Sequence, residues 1–287
     1  MVCHANIATC AITHKMANMH LSQVTVICGS NLTLTTFFEP MKFFQAVGKI
    51  LQNIFAPTNY KCLNCGRDVF DDSGFCPDCA KLLPINNGKT CPRCGVGIDG
   101  EEIYCGNCAF DKVFFDKAYS AFHYDGIIKK AIVKMKFYNL GGYAIPLAYH
   151  LVELARKQNL TFDVVTFAPM SKSSKRKRGY NQAQLLANAF CDILQIARPI
   201  EALVKTKETP PQEKLNKTER KKNLVGAYKI NADVDGKIVL IIDDVKTTGS
   251  TLNECAKVLK KAGAVAVVCL TVASRKEKIP FELEEDK

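Results

Sequence analysis

Tryptophan is absent from the 287 residues and histidine occurs only 5 times, so ring stacking falls to phenylalanine and tyrosine. Acidic residues are scarce as well, 28 against 39 basic ones, for a net charge of +11 at pH 7. That surplus excludes an acidic, solvating chain and points to anionic partners, either phosphates or nucleic acid. No apolar run approaches the roughly 20 residues that cross a bilayer, so no transmembrane segment is expected. A basic n-region followed by an apolar stretch of about 7–15 residues is also missing, so no secretory signal is read and the expected location is cytoplasmic. Hydrophobic residues make up 47% and charged residues 23%, which excludes wholesale disorder and collagen-like repeats. At about 100–200 residues per domain, the length suggests two domains.

Cysteine, by contrast, is abundant and unevenly placed. Eight of the 14 fall between Cys62 and Cys108 as four Cys-x-x-Cys pairs. Ten residues separate Cys65 from Cys76, and ten separate Cys94 from Cys105. A Cys-x-x-Cys turn supplies two thiolates, and a second knuckle completes a tetrahedron with metal–sulfur distances of about 2.3 Å. Two four-cysteine zinc sites are predicted: Cys62, Cys65, Cys76 and Cys79, then Cys91, Cys94, Cys105 and Cys108. Disulfides and a rubredoxin-like iron site are the alternatives. Four thiolates leave no open position, so the metal is read as structural, replacing a core that about 50 residues cannot build. Cys191, Cys255 and Cys269 fall in apolar stretches and are expected to be small buried hydrophobes.

The other segments differ in character. Residues 1–40 show no clear periodicity and carry only Lys15 and Glu39 as charged side chains, which predicts a poorly structured extension. Met41 is an alternative translation start. Residues 41–59 predict an amphipathic helix, with Phe43, Phe44, Val47, Ile50, Leu51, Ile54 and Phe55 on one face. That face either docks on the protein itself or serves as a partner-binding or peripheral membrane contact through 41–55. Residues 60–110 are net acidic, with five basic and seven acidic residues. The basic surplus therefore belongs to 111–287, with 31 basic and 20 acidic residues. Within 111–275, apolar strand-like runs at about 117–124, 163–168, 237–243 and 264–273 alternate with helical patterns at about 126–137, 144–158, 180–195 and 250–262. Strand and helix in alternation predict an α/β fold with a mainly parallel sheet covered by helices. Residues 276–287 read as a polar tail.

The most informative stretch is Val239–Thr251, V-L-I-I-D-D-V-K-T-T-G-S-T. Four aliphatics make a buried strand, two acids end it, and a loop rich in Thr and Gly leads to a helix near Leu252. Ligands of open α/β sheets bind beyond the carboxyl ends of the strands. A helix N-terminus offers free N–H groups to a phosphate. Thr247, Thr248, Ser250 and Thr251 add hydroxyls, and Gly249 lets the backbone approach. Asp243 and Asp244 would repel that phosphate; they fit ribose hydroxyls and, through them, a divalent cation. Capping of an ordinary strand-turn-helix accounts for part of this composition.

The D-D-V-K-T-T-G-S-T stretch resembles the phosphoribosyl pyrophosphate (PRPP) loop of type I phosphoribosyltransferases. With the cysteine segment, the chain resembles the ComF family of late-competence, double-zinc-ribbon proteins over about residues 41–275. The resemblance is carried by the Leu82-Leu83-Pro84 spacer, Phe122–Gly126, Lys136-Phe137 and Arg178–Ala183, and by Thr209–Gln212, Arg220, Asn223-Leu224 and Ala227-Tyr228. It implies a type I phosphoribosyltransferase-like domain preceded by a small double zinc ribbon. Asp243 and Asp244 would hold ribose and Mg2+, and Thr247, Thr248, Gly249, Ser250 and Thr251 would grip the 5′-phosphate. Pro169, Met170, Ser171 and Lys172 would form the pyrophosphate loop, overlapping the basic run Lys172–Arg178, which has five basic residues in seven. Arg178, Gln212 and Arg220 would belong to the basic and flexible loops that close on the ligand. The reaction implied is displacement of pyrophosphate from ribose C1 by a nitrogen nucleophile. The other reading is a non-catalytic accessory of DNA uptake that binds single-stranded DNA and the uptake machinery, with the PRPP pocket as a sensor or relic. Aromatic residues in the ribbons, Tyr60, Phe70, Phe75, Tyr104 and Phe110, are either stacking platforms or small-core residues.

Overall fold

A computed structural model describes residues 12–15, 22–28, 32–38, 60–98, 101–137, 141–208 and 224–275. The amphipathic segment 41–59 and the tail 276–287 lie outside the described residues. The chain divides into two compact units, Met1–Asn59 and Tyr60–Lys287.

In the first unit, three strands form an antiparallel meander: β1 (Ile12–Lys15), β2 (Ser22–Cys28) and β3 (Leu32–Phe38). Ile12 pairs with Val26, and Ser22 pairs with Phe38. These strands fall within residues 1–40, where the sequence predicts a poorly structured extension. The runs S-Q-V-T-V-I-C and L-T-L-T-T-F-F are dense in β-branched residues, which suit a pleated strand even without strict alternation.

The second unit begins with the ribbons, which hold β4 (Tyr60–Lys61), β5 (Asp68–Val69), α1 (Pro77–Ala80) and α2 (Gly106–Phe110). There follow β6 (Lys117–His123), α3 (Gly126–Phe137), α4 (Ala144–Lys157), β7 (Val164–Phe167), α5 (Lys172–Arg178) and α6 (Gln182–Leu194). The last elements are β8 (Leu203–Lys205), β9 (Tyr228–Ile230), β10 (Ile238–Lys246), α7 (Ser250–Lys261) and β11 (Ala266–Ser274).

Four strands form the central sheet in the order β6-β11-β10-β7, every neighbouring pair parallel. The inner strands read I-V-L-I-I and A-V-V-C-L because both of their faces are covered. Leu240 and Ile242 enter one core with Ile128, Leu147, Leu186 and Phe190 of α3, α4 and α6. Val239 and Ile241 face the other way and pack with Leu252, Cys255 and Leu259 of α7. Cys191, Cys255 and Cys269 are fully buried, as their apolar settings predict. No helix among the described residues is long and apolar enough to cross a membrane.

The two ribbons join opposite faces of this sheet. Leu63, Phe75 and Cys62, Cys76 and Cys79 of the first cluster belong to the α3–α4–α6 core, and Val96, Ile98 and the second cluster belong to the α7 core. The spacer between them covers the free edge of β6. His123 N donates to Pro84 O at 2.7 Å, Asn86 N donates to Ala121 O at 3.1 Å, and Ile85 bridges Phe122 in antiparallel sense. An exposed strand edge invites pairing with other chains, and the spacer removes that edge from solvent.

Candidate functional site

Within each cysteine cluster all four sulfurs lie within 4.8 Å of one another. Cys65 and Cys76 Sγ are 3.7 Å apart, and Cys94 and Cys105 Sγ are 3.5 Å apart. A tetrahedron with metal–sulfur bonds of about 2.3 Å has edges of about 3.8 Å. A disulfide needs about 2.05 Å, and all eight cysteines are free. The donor set and its spacing therefore fit zinc. Gly66 and Gly95 adopt φ of +77° and +65°, turning the chain so that their N–H groups reach Cys62 O and Cys91 O. Arg67 Nε donates to Cys65 Sγ, and this contact pulls the thiol down to about 6.

The second site is a cleft of about 260 Å³ at the carboxyl ends of the sheet strands. From β10, the turn that follows it and the start of α7 come Asp243, Asp244, Thr247 and Thr251; from the loop after β7 come Pro169, Met170 and Ser171; α5 adds Arg178. Thr248, Gly249 and Ser250 lie in the same turn without lining the cleft. Thr248 Oγ1 and Ser250 Oγ hydrogen-bond to each other at 2.9 Å, and Gly249, at φ +75°, caps α7. Lys172 is exposed and off the cleft wall. Gln212 and Arg220 lie outside the described residues.

The end of β10 and the state of the basic run differ from the sequence reading. Strand β10 continues through the two acids to Lys246, because Asp243, Val245 and Lys246 keep parallel register with Thr271, Ala273 and Ser274. Helix α7 begins at Ser250, as the helical pattern over about 250–262 predicts. The basic run 172–178 is a helix, not a loop. Ser171 caps its start by accepting from Ser174 N, and Gly179 ends it at φ +85°.

The acids are held by a partner from a different element. Lys136 Nζ of α3 lies 2.6 Å from Asp244 Oδ2, with both side chains largely buried. Asp243 Oδ1 accepts from Asp244 N at 2.8 Å. Burial opposes ionisation of Asp244, but the Lys136 ammonium outweighs it and holds the carboxyl below the usual range. Burial and the Asp244 charge together push Asp243 well above that range. Asn181, itself buried, ties the opposite wall: its Nδ2 donates to Ala168 O at 2.9 Å, and its Oδ1 accepts from Ala183 N at 3.0 Å. Lys205 and Arg275 also line the cleft, and burial lowers the Lys205 pKa.

Two family models match: a double zinc ribbon domain over residues 50–109 and a phosphoribosyl transferase domain over 163–287. Competence protein F of Haemophilus influenzae is 30% identical over 214 residues, 71% of this chain and 93% of that protein. The chain belongs to the ComF family. The DNA utilization protein YhgH of Escherichia coli K12 is 30% identical over 199 residues, 68% of this chain and 87% of that protein. A purine phosphoribosyltransferase structure from Pyrococcus horikoshii covers 49% of this chain and 88% of its own, at 22% identity and a TM-score of 0.29. The two cysteine clusters of this ComF chain are those of its double zinc ribbon.

Lys136, Lys205 and Arg275 were not marked as site residues by sequence reasoning. Signals for two of them were present. Four segments that carry the ComF resemblance, Phe122–Gly126, Lys136-Phe137, Arg178–Ala183 and Ala227-Tyr228, send Tyr124, Lys136, Arg178, Gln182 and Tyr228 to this one cleft. Lys205 opens the basic stretch 205–223 that the resemblance implies is the flexible closing loop, and the structure places it at the end of strand β8; Arg275 carries no sequence signal.

Proposed function

We propose that the cleft binds PRPP together with Mg2+, and that the protein can present ribose C1 to a nitrogen nucleophile with pyrophosphate as leaving group. The observation that carries this reading is the convergence of the Asp243–Asp244 pair, the Thr247 and Thr251 hydroxyls and the Pro169–Ser171 loop on one cleft, with Lys136, Arg178, Lys205 and Arg275 around it. The carboxylates would accept hydrogen bonds from the ribose hydroxyls. The threonines and the first N–H groups of α7 would hold the 5′-phosphate. Arg178 and Lys205 would face the pyrophosphate, where density of positive charge favours a multiply charged anion. Mg2+ bound with the ligand would neutralise the leaving group. The chain's own contribution is positioning and preorganised electrostatics.

The names of the relatives, competence protein F and DNA utilization protein, support a role linked to competence and the uptake of DNA. A thermal-shift titration tests the binding reading. Ligand at 100 times its dissociation constant adds about 2.7 kcal/mol of stability, and Asp243→Asn or Thr251→Val should abolish the shift. An equal shift in wild type and both variants would contradict the assignment of the cleft.

A second reading, binding of single-stranded DNA by an accessory that need not turn over, is favoured by exposed rings on the ribbons. Phe70 is 81% and Phe110 91% exposed, and the Arg93 guanidinium lies over the Tyr104 ring at 5.5 Å. Phe75, in contrast, is a core residue. Asp244→Asn should abolish PRPP binding and leave strand affinity intact. Strand binding that does not respond to salt would exclude a phosphate-dominated mode.

A further inference from the structure

Two of the four oxygens of the carboxylate pair are already engaged within the protein. Asp243 Oδ1 accepts the Asp244 N–H, and Asp244 Oδ2 faces Lys136 Nζ at 2.6 Å. Lys136 is not a loose surface lysine that happens to reach inward. It is the second-last residue of α3, whose Ile128, Ala131, Ile132 and Met135 are fully buried and pin the helix to the sheet. The next residue, Phe137, lies under the Arg178 guanidinium at 5.2 Å. In the last turn of a helix the partial negative charge of the carbonyls also favours a cation. The ammonium is thus fixed by the packing of α3 as well as by Asp244.

A divalent cation and a ribose hydroxyl meet this arrangement differently. Mg2+ needs oxygen ligands at about 2.0–2.1 Å and gives up its own waters reluctantly. Placed on Asp244 Oδ2 it would lie against the ammonium, two like charges in a site shielded from solvent. A hydroxyl carries no net charge and can donate to the same carboxylate with the lysine in place. The donor set therefore does not fit direct binding of a free metal ion. We propose that Lys136 takes the place of a cation at the Asp243–Asp244 pair, so that the cleft excludes free divalent metal and admits Mg2+ only as part of a pyrophosphate-bearing ligand. The inference rests on reading this pair as the ribose-holding acids, and it makes Lys136 a positioning residue.

The test is Mn2+ binding followed by electron paramagnetic resonance, on zinc-loaded full-length protein without PRPP. Wild type and Asp244→Asn should give the same titration. Lys136→Met should gain a site at least tenfold tighter than anything in wild type, and Lys136→Met/Asp244→Asn should lose it. Lys136→Arg, which keeps the charge, should behave as wild type. Mn2+ binding by wild type that Asp244→Asn removes would overturn the proposal. So would a folded, zinc-loaded Lys136→Met protein that binds no more Mn2+ than wild type. Should Lys136→Met not fold, the comparison of wild type with Asp244→Asn still decides. Because no PRPP is present, failure here is distinct from failure of the PRPP reading, which a PRPP titration reports by itself.

Discussion

Gly74 of the first ribbon lies so close to Pro146 of α4 that a Cβ on Gly74 would sit 2.3 Å from Pro146 Cβ. The residue also holds φ at +72°, where a side chain is strained. Contact and conformation together make this a close joint between ribbon and helix. Gly74→Ala should cost about 1–3 kcal/mol, the usual range for overpacking. The readout is a lower midpoint in urea unfolding; an unchanged midpoint would show that the two elements do not bear on each other.

The joint matters because the ribbons share the cores of the transferase domain instead of hanging from it. Cys62, Cys76 and Cys79 pack in the same core as Leu147 and Leu240, and Cys91, Cys94 and Cys105 in the same core as Val239 and Leu259. Removing zinc with a chelator should therefore lower the protection of β6 and α4 against hydrogen exchange, along with that of the ribbons. Loss of protection confined to residues 60–110 would contradict this coupling.

His150 of α4 lies between the Phe75 and Phe122 rings, and its Nε2 is 2.9 Å from Ser73 O. Burial lowers its pKa, against the opposing effect of that carbonyl. The neutral ring is the form the fold prefers. The unfolded chain takes up the proton first, near the ordinary value of about 6.5. The contribution of His150 is thus complete above that pH and declines as pH falls toward the folded-state value. Zinc sites also weaken in acid, so the informative quantity is a difference. Between pH 7.5 and pH 5.5, wild type should lose more stability than His150→Gln. Parallel losses would contradict the assignment.

The buried Lys136–Asp244 pair makes a further prediction. Removing one partner of such a pair leaves an uncompensated charge and typically costs about 3–5 kcal/mol. Lys136→Met should show a loss of that order in chemical denaturation, and adding Asp244→Asn should restore part of it. Additive losses would mean that the two side chains do not interact.

Much of this architecture was legible in the residues themselves. The runs I-V-L-I-I and V-V-C-L announce inner parallel strands because a strand covered on both faces needs no polar alternation. Four Cys-x-x-Cys pairs announce their clusters because each pair is a complete local turn. The helix over 172–178 was hidden by its charge: five basic side chains suggested a loop, while the decisive signals were single residues at its ends, Ser171 and Gly179. The pairing of Lys136 with Asp244 had no local signature at all. The two residues stand on separate elements, and only the packing of α3 against the sheet brings them together. Strands β2 and β3 carry only short alternations, V-T-V and L-T-L-T, too brief to give residues 1–40 a clear period.

The proposed function stands on a phosphorylated pentose bound at the carboxyl ends of β7 and β10. Isothermal calorimetry of zinc-loaded protein with PRPP and Mg2+ addresses it most directly. Saturable heat at about one ligand per chain, lost in Asp244→Asn and in Thr247→Val/Thr251→Val, is the predicted result. No heat from folded wild-type protein, or equal heat from the variants, would contradict it.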